Sequence, residues 1–342
     1  MMSLYWGFKM RKLIRLVCSA VAFGAANHVV FADHPSIVSG SERGGGLNTI
    51  STSSLRAGEW VLGLRSEVIK NDSFSNAELA GFAAAGEEGV HATDEIVSAA
   101  ATVAYGVSEN LDLSVRIPWI ARNNIREGEI EDDEAEVHGH GDSEGIGDLV
   151  VLGNYRIFAQ EDAEFAMQGG FKMPTGKTRV SDRGGRLETE FQPGSGSWDF
   201  LIGGALRQTF THIGLHANLL YNATTEGGQD SELGDALFYN LAVVFSPTKD
   251  HDHGGHEHSS IIDEVAWDLM LEINGEQRWS DKVRGVNDAN SGGNIIYLSP
   301  GIRASFRQLS AFFSFGYPLV DDSNGHQSDV DFRIMGGVGF GF

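Results

Sequence analysis

Apolar and polar residues alternate with a period of two along much of this chain. The cleanest case is Leu111-Asp-Leu-Ser-Val-Arg-Ile-Pro-Trp119, where odd positions are apolar and even ones mostly polar. A β-strand sends successive side chains to opposite faces, so such a segment has one greasy face and one wet one. The pattern recurs in Leu149, Val151, Tyr155 and Ile157 against Asp148, Asn154 and Arg156, and in Ile213, Leu215, Ala217, Leu219 and Tyr221 against His216, Asn218 and Asn222. Val265, Trp267, Leu269, Leu271 and Ile273 alternate with Asp268 and Glu272, and Phe332, Ile334, Val338, Phe340 and Phe342 with Asp331 and Arg333. Such runs predict twelve strands, near 59–70, 94–106, 111–122, 146–158, 164–174, 198–210, 213–222, 235–247, 264–274, 294–306, 310–318 and 330–342.

Strands of this length suit a tilted crossing of a bilayer, whereas strands of soluble folds usually run about 5 to 6 residues. The connections alternate between very short (108–110, 211–212, 307–308) and long (71–93, 123–145, 175–197, 275–293). Short turns at one end and long loops at the other are what bacterial outer-membrane barrels show. The expected fold is all-β, a transmembrane antiparallel up-and-down β-barrel of about twelve strands over 59–342, in the outer membrane of a Gram-negative bacterium. Trp60, Tyr105, Trp119, Trp198, Tyr221 and Trp267 fall near strand ends, where aromatic girdles are expected. Alternation alone also permits a soluble barrel or propeller, which leaves strand length and loop asymmetry unexplained. Residues 33–58 lack the pattern, and read either as a disordered tail or as a plug folded into the lumen.

The first 32 residues read as an export signal: Lys9, Arg11, Lys12 and Arg15 precede an apolar stretch, Leu16 to Ala26, that is too short to span a bilayer, and Val30-Phe31-Ala32 resembles a cleavage site. Met10 is an alternative start. Cys18, the single cysteine, reads as a core residue of the signal in preference to a lipidation site, since Val17 precedes it where a small residue is required. Without this leader 21 Lys+Arg face 47 Asp+Glu, a net charge of −26. So acidic a chain is a poor partner for nucleic acid.

The order and spacing of several short motifs add a family. Gly145-Ile-Gly-Asp-Leu149 leading into Asn154-Tyr155, then Lys172-Met-Pro-Thr-Gly176, then Gln192-Pro-Gly-Ser-Gly-Ser-Trp-Asp199 and Tyr297-Leu-Ser-Pro-Gly301 resemble the outer-membrane β-barrel transporters of the phenol-degradation meta-pathway type. The resemblance implies passive uptake of small, often aromatic or hydrophobic, organic solutes, and brings no catalytic residue with it. Phe342, with Phe340 and Val338 on the same face, looks like the C-terminal signal read by the barrel-assembly machinery. Outer-membrane lipid and a small solute are the other expected partners.

Inward positions collect charges of both signs: Asp112, Arg116, Asp148, Arg156, Lys172, Asp199, Arg207, Asp268, Glu272, Arg303, Asp331 and Arg333, with His216 among them. Such charges either select solutes or pair across strands to fill a narrow barrel. Leu269→Arg is expected to be costly and Glu272→Gln neutral, the first facing lipid and the second the lumen. Histidine clusters at His251, His253, His256 and His258, and at His138 and His140, beside carboxylates; weak binding of a divalent metal, or a metal-transport accessory role, is the rival reading. No resident cofactor is expected. The acidic run Glu127 to Glu136 reads as a solvated loop. No histidine falls on an outward-facing strand position to suggest lipid hydrolysis, so the chain is not expected to be an enzyme.

Overall fold

The computed structural model describes residues 45–52, 55–87, 89–247 and 265–342. The expected leader with Cys18, and His251, His253, His256 and His258, lie outside the described residues. Twelve long strands each pair antiparallel with their chain neighbours and close into a barrel. They are β1 (Trp60–Asp72), β2 (Glu95–Ser108), β3 (Leu111–Glu131), β4 (Leu149–Ala159), β5 (Ala163–Met173) and β6 (Asp199–Phe210) in the first half. The second half holds β7 (Ile213–Ala223), β8 (Ala236–Phe245), β9 (Ala266–Arg278), β10 (Gly293–Phe306), β11 (Leu309–Ser323) and β12 (Asp329–Gly341). Each coincides with one predicted strand. Closure runs from Val61 opposite Gly341 to Asp72 opposite Asp329, so the barrel wall itself has no open edge.

The two faces of the wall are inverted relative to a soluble protein. Leu64 is 59% exposed and Ile202, Leu206, Leu219, Leu271 and Phe313 are exposed around it on the outside, while Arg65, Glu67, Arg116, Lys172, Asp199, Asp268, Glu272, Arg303 and Arg333 are buried inside. In water this arrangement would expose a continuous greasy surface. Within a bilayer it satisfies both faces, which excludes the soluble alternative. Aromatic pairs mark both ends: Trp60 with Tyr105 at the short-turn end, ring centroids 4.5 Å apart, and Tyr221 with Trp279 at the other, 6.0 Å apart.

The long connections carry more structure than the sequence suggests. The acidic run is not a loop: β3 continues to Glu131 and forms a hairpin with an arm, Glu134–Ile146, through Asp132-Asp133. Both turn residues have positive φ, 51° and 65°, the geometry that matches the twist of a two-residue hairpin. The connection after β1 holds a short helix, α1 (Asn76–Ala84), started by a capping box of Ser75 and Glu78. A small hairpin of Lys282–Val283 and Val286–Asn287 follows β9. The arm and β4 together form one interrupted strand opposite β3, broken at Gly147-Asp148. Below the break only six residue pairs, Leu111↔Tyr155 to Arg116↔Val150, join β3 to β4.

One inward assignment is wrong. Asp331 is exposed: between Lys70/Asn71 the register of β1 on β12 shifts, so that Val330 and not Asp331 turns into the barrel. A bulge reverses parity beyond it, and strict alternation cannot foresee one.

Candidate functional site: the filled lumen and the cluster above it

The lumen is lined by paired charges. Lys172 Nζ lies 2.6 Å from Asp199 and 3.8 Å from Asp148, Arg303 Nε donates to Asp268 at 3.0 Å, and Arg207 to Glu164 at 2.9 Å. Asp112 accepts from Asn154 at 3.2 Å, and Arg156 donates to the Glu109 carbonyl at 2.6 Å. Arg116 and His216 are buried on the inner wall. Of the two meanings open for these charges, ladder pairing describes most of them. Arg65, Glu67 and an asparagine ladder were missed. Arg65 reaches Glu67 at 3.0 Å, Arg333 stacks over the Tyr297 ring at 4.1 Å, and Asn240 bridges Asn218 at 3.2 Å and Asn274 at 3.0 Å. Strand parity marks all of these as inward.

Three family motifs meet at the strand break. Asp148 accepts from the Gly176 amide at 2.8 Å and from the amide and hydroxyl of Ser195, both at 2.7 Å. The Ser195 and Ser197 hydroxyls are 2.8 Å apart, and Ser197 donates to Asp199 at 2.8 Å. Lys172, from the second motif, faces both carboxylates, nearer to Asp199 than to Asp148. These residues brace the loop between β5 and β6 against the interrupted wall. The motif residues are therefore one buried polar network, in which two carboxylates share one lysine and several neutral donors.

The centre of the lumen is occupied by the chain's own residues 45–52. Leu55 donates its amide to Asp112 near the short-turn end, Thr52 donates to Glu164 at 2.9 Å, and the Ile50 amide to Asn218 at 3.0 Å. At mid-barrel, the fully buried Glu272 accepts from five donors: the amides of Leu47, Asn48 and Thr49, the Asn48 side chain and the Thr49 hydroxyl. Arg65 donates to the Leu47 carbonyl at 3.2 Å and to Asn48 Oδ1 at 2.9 Å, and Arg303 donates to the Gly45 carbonyl. Leu47 packs against Val244, Met270 and Met335, and Ile50 joins a cluster with Val150, Leu152, Leu220 and Phe238. A Cβ on Gly46 would lie 2.2 Å from Glu272 Oε1, so only glycine fits where the chain bends around that carboxylate.

At the long-loop end, His91 and His140 converge on one carboxylate. His91 Nε2 and His140 Nε2 each lie 3.2 Å from Glu127 Oε2, and His91 Nε2 is 3.7 Å from Glu188 Oε2. His140 Nδ1 is 2.6 Å from Asp182, which the amides of Gly184 and Gly185 hold at 2.7 and 2.9 Å. Burial lowers the His91 pKa, but the hydrogen bond to Glu127 and the charges of Glu190, Glu127 and Glu188 outweigh it and raise it to about 9. Burial, assisted by Asp281, Glu188 and Asp288, pushes the Glu190 carboxyl up to about 8. His138 goes elsewhere, to Glu131 at 3.0 Å near the tip of the arm. The two histidines proposed as a pair thus have separate partners: alternation alone would put positions 138 and 140 on one face, but the register of the arm on β3 shifts between Ile125 and Arg126, where Gly139 and Gly141 find partners and His140 is the extra residue.

A closed up-and-down barrel with an apolar outer belt, an ionic interior and unequal ends is an outer-membrane β-barrel. The chain belongs to the family described as "Putative MetA-pathway of phenol degradation", whose model matches residues 81–327. No curated protein sequence matches it. Among solved structures it is similar to an outer membrane channel from Pseudomonas putida F1, at 12% identity and a TM-score of 0.55, covering 85% of this chain and 98% of that one. It is also similar to the CymD monoaromatic hydrocarbon channel, at 11% identity and a TM-score of 0.40, covering 84% of this chain and 88% of that one. The likeness to the first is one of fold.

Proposed function

We propose that this protein is a passive outer-membrane channel for small apolar or aromatic organic solutes, narrowed by its own residues 45–52, and not an enzyme. The observation that carries this reading is an apolar patch on the otherwise ionic inner wall: Ile69, Ile96, Ile120, Ile295, Tyr297 and Val330 form an inward cluster drawn from five strands. General porins have polar lumens, whereas this surface rewards an apolar solute by about 25 cal/mol per Å² removed from water. Within that cluster the buried Tyr297 hydroxyl has no hydrogen-bond partner among the described residues, and suits a solute with one polar group on an apolar ring. The family's association with phenol degradation supports the same solute class. Export by residues 1–32 and assembly through Phe342 belong to this reading. The metal-transport alternative gains nothing from the family or from the similar structures.

The test is uptake by intact cells. Cells making the protein should accumulate labelled phenol or benzyl alcohol faster than cells lacking it, with Tyr297→Phe reducing the gain. Equal rates with and without the protein would contradict the reading.

A further inference from the structure

The geometry points to a zinc site at the long-loop end, with His91 Nε2, His140 Nε2, Glu127 and Glu188 as ligands. It would join three outer segments: the connection before β2, the β3 hairpin with its arm, and the connection between β5 and β6. This inference is independent of what the lumen transports.

Three observations carry it. The first is spacing. A tetrahedral ion with bonds of about 2.0–2.1 Å needs ligand atoms roughly 3.3 Å apart. Three of the six ligand pairs are 3.2, 3.2 and 3.7 Å apart; His91, Glu127 and His140 offer atoms that all lie within 4.8 Å of one another, and Glu188 shares His91 with Glu190 in a second such group. The second is the outer shell. His140 Nδ1 rests on Asp182, itself fixed by two backbone amides, which holds the ring with Nε2 toward the Glu127 oxygen. Ligating histidines have such a partner almost without exception. The third is an unpartnered carboxylate oxygen in the adjoining cavity. His91, Glu188 and Glu190 line a cavity of about 400 Å³ together with Asp281, which is 3% exposed and whose Oδ2 has no hydrogen-bond partner among the described residues. A buried carboxylate oxygen without a partner is costly, and a nearby divalent cation offsets that cost. Two imidazoles with two carboxylates suit zinc better than calcium or magnesium, which take oxygen ligands.

The experiment uses the full-length protein in detergent, stripped with a chelator and checked for heat-modifiable migration of the barrel. Titration with Co²⁺ should give the strong visible bands of a four-coordinate ion, displaced by one Zn²⁺ per chain. His91→Ala and His140→Ala should each weaken binding by at least about tenfold, and Asp182→Asn by roughly 10- to 100-fold while every ligand remains. Changing His251, His253, His256 and His258 together to Ala should leave this binding intact. Metal uptake that survives the loss of both His91 and His140, uptake abolished by the quadruple change, or no four-coordinate spectrum would overturn the proposal. The last result would leave the histidines as imidazolium partners of the carboxylates only.

Discussion

Glu272 shows how far a single residue can be read. Its parity places it on the inner wall, and as a plain lumen charge it would tolerate Gln. Instead it accepts five hydrogen bonds from residues 47–49, more than two hundred positions away in sequence. Period-two alternation reports which face a side chain occupies and nothing about a partner so distant, so the acceptor was legible and its role was not. Hydrogen bonds to charged groups contribute about 1.5–3 kcal/mol each, though not additively. Glu272→Ala should therefore free the segment while the barrel stays intact. In limited proteolysis, residues 45–52 should become cleavable in the variant and stay protected in the wild type; equal protection would contradict the anchoring role. Asp148 makes a second case. Parity places it on the inner wall, and there it ties the motif loops to that wall. Removing one partner of a buried ion pair costs about 3–5 kcal/mol. Asp148→Asn should lower the temperature at which heat-modifiable migration is lost, whereas Asp331→Asn, on the exposed bulge, should leave it within experimental error.

Among the elements, strands were the most legible part of the molecule, since each buries one face and presents the other to lipid. All twelve were found, and the errors lie where something other than alternation decides. The arm Glu134–Ile146 was hidden because a hairpin standing outside the membrane needs no greasy face. The short helix α1 was hidden because it lies in a connection with no amphipathic run of useful length. Leu269 is 47% exposed on β9 between Asp268 and Met270, both buried. Leu269→Arg should cost about 2–4 kcal/mol near the bilayer midplane, read as lost heat resistance. The strand's register would be contradicted by an unchanged transition. The last strand ends with Phe342, whose amide and carbonyl each pair with Trp60 at 2.9 Å and so help to close the barrel. Its ring points outward, 60% exposed. Deleting Phe342 should reduce assembled barrel in the membrane without blocking export; normal assembly would remove its proposed role.

The whole molecule is a wall whose charges pair inside and whose surplus of acid sits in the long-loop end, around Glu127, Glu129, Glu131, Asp132, Asp133, Glu134 and Glu136. The ionic ladders and the N-terminal segment fill the middle of the barrel, and the inward apolar patches are what remains for a solute. The sequence left residues 33–58 open between tail and plug because a segment with no periodicity of its own takes its place from the wall that receives it. Leu47 and Ile50 supply the greasy contacts, worth about 1.5–3 kcal/mol each when fully buried. Channel function narrowed by this segment is the central claim, and single-channel conductance in planar bilayers tests it most directly. The wild type should give small, discrete currents, and Glu272→Ala should raise their amplitude several-fold. Silence from both proteins, with the barrel folded, would contradict the claim.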